Sequence, residues 1–190
     1  MADISPSLSL LVAILLQLGM GLAVGSSTFA VIFYFKAKRD GVIDAKERSF
    51  LHIVYRVLRI ALSIIVLSLI ILSLSAYQSG VWPYFATSTY WLFWIIIAVI
   101  IVNALLMDWH LMPMNLGPAI AAGSWYTLYL TYTLRMLGID FLPLPILLVY
   151  YALFLVFMVF FLRLVDHIVM LDSLQQESRK HPGGNEPQEV

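Results

Sequence analysis

The chain of 190 residues contains no cysteine. Without thiols it cannot form disulfides, thiolate metal sites or iron–sulfur clusters, and it has no thiol nucleophile. Charged residues are also scarce, at 12% of the chain, whereas a soluble domain has about 25%. Their formal sum is zero, so bulk charge gives no support for nucleic-acid binding. The sequence also lacks a Gly-x-Ser-x-Gly motif and a phosphate-binding loop, so nothing in it indicates a hydrolase, kinase or nucleotide site.

Apolar residues, in contrast, make up 62% of the chain, above the roughly 45–50% of soluble domains. They form segments near the roughly 20 residues that a bilayer core requires. These segments cover residues 8–35, 53–76, 90–107, 118–137 and 144–165. The first is predicted to be a retained span, because it lacks the positive start of a secretory signal and exceeds its roughly 7–15-residue apolar core. The sequence therefore predicts an all-α integral membrane bundle of five transmembrane helices within residues 1–172, four of them antiparallel with a fifth packed beside them.

The span count depends on the junction between the third and fourth segments. Residues 108–118 contain Pro113, Gly117 and Pro118. Such breakers favour two separate spans over one long helix. The alternative is four spans, with one of these two segments re-entrant.

Two polar stretches lie outside the predicted spans. In the first, residues 36–48, Asp44 and Glu47 resemble a capping box, which predicts that the second helix begins near residue 45. In the second, residues 173–190 are polar and end in a stretch rich in proline and glycine, which predicts a disordered cytosolic tail.

The lysines and arginines predict the orientation of the chain. The first loop holds Lys36, Lys38, Arg39, Lys46 and Arg48. Arg163, Arg179 and Lys180 flank or follow the last span, whereas the second loop, residues 77–89, has no lysine or arginine. With five spans the first loop and the tail share a side, which the positive-inside rule assigns to the cytosol. We therefore expect a plasma-membrane protein with its N-terminus outside and its C-terminus in the cytosol.

Ionisable side chains at membrane depth are candidates for function because they are costly there. His52, Arg56, Arg59 and Ser63 share one face of the second helix. We expect this face to meet the bundle interior or a lipid phosphate, although Arg59 could also snorkel to the interface. Arg56 and Arg59 are candidates for pairing with an anion or with haem propionates, because arginine binds carboxylates bidentately.

Three histidines and two carboxylates are predicted near the cytosolic end. They are His52, His110, His167, Asp108 and Asp166. Such groups can bind a transition metal, and two imidazoles can ligate haem. No His-x-x-x-His pair within a helix fixes a metal, so structural or proton-sensing roles are the alternative. We expect no cofactor, and at most a single haem or metal ion near the cytosolic surface.

The fourth span is the most polar. Thr127, Thr131 and Arg135 recur at four-residue intervals, and Asn103 adds an amide from the third span. These residues are the candidate polar interior. They form either a packing seam or a cavity that is water-filled or accessible to a quinone. Arg135 is predicted to face protein, with Asp140 as its candidate partner.

The first span contains the motif Gly21-x-x-x-Gly25. Small residues let helices approach closely, so we expect a helix contact there, with another helix of this chain or with a second subunit. Expected partners are therefore membrane lipids and either a second copy or another membrane subunit.

Two segments carry a resemblance to known proteins. They are residues 25–35 before the charged loop, and residues 94–113, where the third span ends in a polar turn. The chain resembles small integral membrane proteins of the broad copper-resistance D-type and haem-pathway J-type group. The resemblance covers spans one to three and implies a helical bundle. The haem-associated members carry a histidine in their first span, and this chain does not.

The leading functional expectation is a non-enzymatic membrane protein that acts as a partner or scaffold in the bilayer. One alternative is a redox or cofactor-binding subunit that uses the cytosolic histidines. Another is a small transporter that uses the polar face of the fourth span. An absorbance spectrum would identify the former, and a water-filled cavity would favour the latter.

Overall fold

The computed structural model describes residues 6–40, 45–81, 83–113, 116–138 and 142–180. Over these residues the chain is helical and has no strand, which confirms the predicted all-α class. The helices are α1 (Pro6–Asp40), α2 (Ala45–Gln78), the short α3 (Pro83–Ala86), α4 (Ser88–Asp108), α5 (Gly117–Met136) and α6 (Leu144–Lys180).

Within the described residues, four helices are long and apolar enough to cross a membrane. Their candidate spans are Ser7–Lys36, Arg48–Gln78, Ser88–Asp108 and Leu144–Val165. Together they indicate a membrane protein. Helix α5 coincides with the predicted fourth span but is not among these candidates. Its serine, threonine, tyrosine and glycine residues lower its hydropathy, so composition does not confirm the predicted count of five.

Helices α1 and α2 form a long hairpin. They approach closely at Gly19, where an added Cβ would lie 3.0 Å from Ile65 Cγ1 and 3.4 Å from the carbonyl oxygen of Ala61. Towards the end of α1 and the start of α2, the rings of Phe33 and Phe50 stack with centroids 5.7 Å apart. The small side chains of the hairpin therefore let an apolar face of α2 pack against α1.

Helix α5 lies among α1, α4 and α6. Its start is favoured by Pro118 in the first turn, where a missing N–H costs little. Beyond its end, Gly138 adopts φ +75°, a left-handed conformation that glycine readily supplies. An added Cβ at Gly123 would lie 2.8 Å from Leu155 Cδ2, so this glycine permits the close approach of α6.

The core joins α1, α2, α4 and α5, with Met20, Ile65, Phe93, Ile96 and Leu128 among its most buried side chains. Helix α6 is more peripheral. One face of it is exposed over residues 149–164, comprising Val149, Leu153, Val156, Phe160 and Leu164. An apolar face of this kind suits contact with lipid chains.

The start of α2 and the end of α6 can be compared with the predictions from the sequence. Helix α2 begins at Ala45, as expected, although Asp44 lies outside the described residues. Helix α6 continues through residues 173–180, which belong to the tail that the sequence predicts to be disordered. This stretch is polar, but it contains no proline or glycine and many of its residues favour helix. Residues 181–190 lie outside the described part of the chain.

Candidate functional site

The hydroxyl groups of α5 form hydrogen bonds to two neighbouring helices. Ser124 Oγ lies 2.8 Å from Tyr151 Oη of α6, and both residues are buried. Tyr126 Oη lies 2.6 Å from Thr28 Oγ1 of α1. Thr28 donates its own proton to the carbonyl oxygen of Val24, 2.8 Å away, so Tyr126 is the donor to Thr28. These bonds fix the register of α5 against α1 and α6.

Asn103 links α4 to the start of α5. Its Nδ2 donates to the carbonyl oxygen of Gly117 over 3.0 Å and lies 3.7 Å from Met107 Sδ. An added Cβ at Gly117 would lie 2.7 Å from that sulfur, so the Met107 side chain would have to move if this glycine were replaced. Asn103 Oδ1 is buried and accepts no hydrogen bond from the described residues. The amide therefore acts as an interhelical tie through its donor side.

The predicted threonines also lie inside the bundle. Thr127 and Thr131 are buried, and Thr127 donates to the carbonyl oxygen of Gly123 one turn earlier, over 2.7 Å. We call Thr28, Asn103, Ser124, Tyr126, Thr127, Thr131 and Tyr151 the polar seam. The candidate set from the sequence did not include Ser124 and Tyr151. The signal was a tyrosine within an otherwise apolar span, but its partner depends on how α5 and α6 align.

Arg135 lies half-buried near the end of α5. Its guanidinium carbon is 4.8 Å from the centroid of the Tyr84 ring, a cation–π contact that joins α5 to α3. Burial raises the pKa of Tyr84 above its usual value of 10.0, and the charge of Arg135 offsets part of that rise. Tyr84 therefore keeps its proton at neutral pH. Asp140, the predicted partner of Arg135, lies outside the described residues.

The cationic face of α2 points away from the bundle. His52, Arg56 and Arg59 are exposed, and Ser63 is exposed with its hydroxyl donating to the Arg59 carbonyl oxygen over 3.0 Å. This corrects the expectation that these residues meet the bundle interior, and leaves the lipid-phosphate alternative. The opposite, apolar face of α2, which includes Ile65, occupies the core instead.

His110 has a clear structural role at the end of α4. Its φ is 58°, and the N–H groups of His110 and Leu111 donate to the carbonyl oxygens of Met107 and Leu106. This is a Schellman motif with histidine in the left-handed position that glycine usually takes. The imidazole itself is exposed.

The structure does not bring the predicted metal ligands together. His167 and Asp108 are exposed, as are His52 and His110, and the side chain of Asp166 lies outside the description. Among the described residues, no group of three histidines or carboxylates is placed to hold a metal ion. The described residues therefore form no metal centre by themselves, and a bound metal ion or haem stays a prediction.

Gly21 and Gly25 do not mark a close approach between helices of the described chain. A Cβ added at either position would meet nothing within 4 Å. Contact with a second subunit stays a prediction, and the close approaches within the chain occur at Gly19 and Gly123 instead.

Comparison with known proteins gives no match, whether to protein-family models, to curated proteins or to solved structures. The resemblance to the copper-resistance D-type and haem-pathway J-type group therefore stays a prediction.

Proposed function

We propose that this chain crosses the bilayer five times and that α5 is the fourth crossing. Helices α4 and α5 meet near both ends, since Asn103 bonds to Gly117 at one end and the rings of Phe93 and Tyr132 lie 6.5 Å apart at the other. Helix α5 has 20 residues, about 30 Å at about 1.5 Å per residue, which matches a hydrocarbon core. Because α1, α4 and α6 surround it, α5 tolerates more polar residues than a lipid-facing helix does.

The proposed orientation follows from the exposed cations. Lys46 and Arg48 are exposed near the start of α2. Arg59 lies 19 positions before Gln78 in α2, about 29 Å along the helix. If Gln78 lies at the outer boundary of the bilayer's hydrocarbon core, Arg59 therefore lies at its inner boundary. Arg163 lies near the end of the span in α6. In this antiparallel arrangement these cations share the cytosolic side of the plasma membrane, and the N-terminus is outside.

Within that topology, we propose that the chain acts as a non-enzymatic partner or scaffold in the bilayer. The observation that supports this role is the polar seam. Hydroxyls of the seam bond across helices, as Ser124 does with Tyr151 and Tyr126 with Thr28, or to the backbone of their own helix, as Thr127 does with Gly123. Polar groups used in this way align helices. A transporter for polar substrates would instead need them to line a water-filled path.

Reaction of single cysteines with a small water-soluble thiol reagent tests this proposal, because the chain has no cysteine of its own. Thr127→Cys probes the polar seam, and Ser79→Cys in the exposed turn after α2 is the control. We expect rapid labelling at position 79 and none at position 127 in the folded protein. Labelling at position 127 as fast as at position 79 would favour the transporter.

A further inference from the structure

A cavity of about 310 Å³ lies between α1, α2, α4 and α5 at the Arg135 end of the bundle. Its walls are mostly apolar, with Leu16 from α1, Leu69 and Leu72 from α2, and Phe93 from α4. Among the described residues that line it, Arg135 is the one that carries a charge. The cavity therefore combines hydrocarbon surface with a single positive charge.

Within the described residues, the charge of Arg135 is only partly compensated. There it contacts Tyr84, through the face of the ring and a side-chain hydrogen bond, and no described carboxylate pairs with it. A guanidinium group has five N–H donors, and one tyrosine cannot satisfy them all. An arginine beside an apolar cavity at membrane depth gains most from an oxyanion that accepts two of those donors.

Two further cavities within the described residues differ in this respect. One of about 170 Å³ lies near Tyr34 and Met107, and one of about 350 Å³ lies between α1 and α6 near Phe157. Their walls contain no charged residue. Of these three cavities, the one at Arg135 is therefore the one whose charge favours an anionic ligand.

We propose that this cavity binds an amphiphile whose carboxylate or phosphate headgroup pairs with Arg135, while its hydrocarbon chain lies against Leu69, Leu72 and Phe93. The proposal rests on α5 lying in the membrane, as argued above. Tyr84, which borders the cavity and is protonated at neutral pH, can donate a further hydrogen bond to the headgroup. The volume is at the lower end of the roughly 300–1,000 Å³ of ligand pockets. A segment of one hydrocarbon chain fits such a volume better than a ring system does.

Native mass spectrometry of the full chain in a neutral detergent tests the site. The probes are oleate, dioleoyl phosphatidylglycerol and dioleoyl phosphatidylcholine, which all carry oleoyl chains. The first two have a net negative charge, whereas the choline of the third offsets the charge of its phosphate. We expect one anionic probe to bind more tightly than phosphatidylcholine. The comparison of oleate with phosphatidylglycerol then shows whether the site prefers a carboxylate or a phosphate headgroup. Equal binding of all three probes would overturn the proposal.

Two variants locate the anion. Arg135→Gln should weaken binding of the preferred anionic probe by about tenfold or more, because charge-assisted hydrogen bonds are lost. The matched control is Arg59→Gln, which removes an exposed arginine at the opposite end of the bundle and should leave binding unchanged. An equal loss in both variants would show attraction by overall charge and contradict a defined site.

A third variant keeps the charge and fills the space. Leu72→Trp places a larger side chain in the wall of the cavity and should also weaken binding. This variant still tests the cavity site if Arg135→Gln folds poorly. Unchanged binding to this variant would put the anion on the protein surface and refute the cavity site. None of these results depends on which side of the membrane the loops occupy, so they are independent of the test of topology.

Discussion

Replacing Gly123 by alanine tests the close packing of α5 against α6. The added Cβ would lie 2.8 Å from Leu155 Cδ2 and 3.3 Å from Met158 Cγ. The first distance is shorter than normal contacts, so at least one of these side chains must move. Met158 is buried, which limits how far it can do so.

Two effects of opposite sign set the magnitude. Alanine favours helix over glycine by up to about 1 kcal/mol, whereas overpacking a well-filled site costs about 1–3 kcal/mol. We therefore expect Gly123→Ala to lower the free energy of unfolding by up to about 2 kcal/mol. Gly21→Ala is the matched control, because a Cβ there meets nothing within 4 Å. It should keep the helix gain and raise stability by about 0.5–1 kcal/mol.

Equilibrium unfolding in mixed micelles, at a dilution where the protein is monomeric, measures both variants. The quantity of interest is the difference between them, which should be about 1–3 kcal/mol and corresponds to the packing cost. If Gly123→Ala proves as stable as Gly21→Ala, α6 does not approach α5 as the structure shows, and the reasoning fails.

Three further predictions concern the polar seam, the arginine of α5 and cofactor binding. A double-mutant cycle with Ser124→Ala and Tyr151→Phe should give a coupling energy near 0.6 kcal/mol and below about 1.7 kcal/mol, as for other interhelical bonds in membranes; zero coupling would mean that the hydrogen bond is not formed. Arg135→Leu should reduce the yield of folded protein in detergent, and a yield equal to that of the parent would indicate a free interfacial side chain. The absorbance spectrum of the purified protein should show no haem. Two haems per chain would contradict the one-sided placement of the histidines, whereas a single haem band lost in His52→Ala or His110→Ala would support a cofactor-binding subunit.

The positions of the helices were predictable from the sequence. The second apolar segment, predicted at residues 53–76, lies within α2 at Ala45–Gln78. The third, predicted at residues 90–107, lies within α4 at Ser88–Asp108. Such bounds depend on local hydropathy and on breakers such as Pro113, which act without reference to the rest of the fold.

The way in which helix faces meet was less predictable. The spacing of His52, Arg56 and Arg59 shows that they share a face, but the position of the competing apolar face around Ile65 decides that they point outward. Likewise, the hydrogen bond between Ser124 and Tyr151 depends on the alignment of α5 with α6. No local pattern in either helix specifies that alignment.

The glycines of α1 show the same limit. The motif formed by Gly21 and Gly25 predicted a helix contact, yet within the described chain the close approach occurs at Gly19. A small residue permits a close contact but does not determine which face the neighbouring helix occupies.

The central claim is that α5 crosses the membrane, and labelling at its two ends tests it most directly. Leu111 and Leu137 lie just beyond the start and the end of that crossing and are similarly exposed, at 68% and 69%. Each is replaced in turn by cysteine and treated, in intact cells and after permeabilisation, with a thiol reagent that cannot cross membranes. We predict that Leu137→Cys is labelled from outside in intact cells and that Leu111→Cys is labelled only after permeabilisation. Labelling of both positions from the same side would show that α5 is re-entrant and would contradict the five-span account.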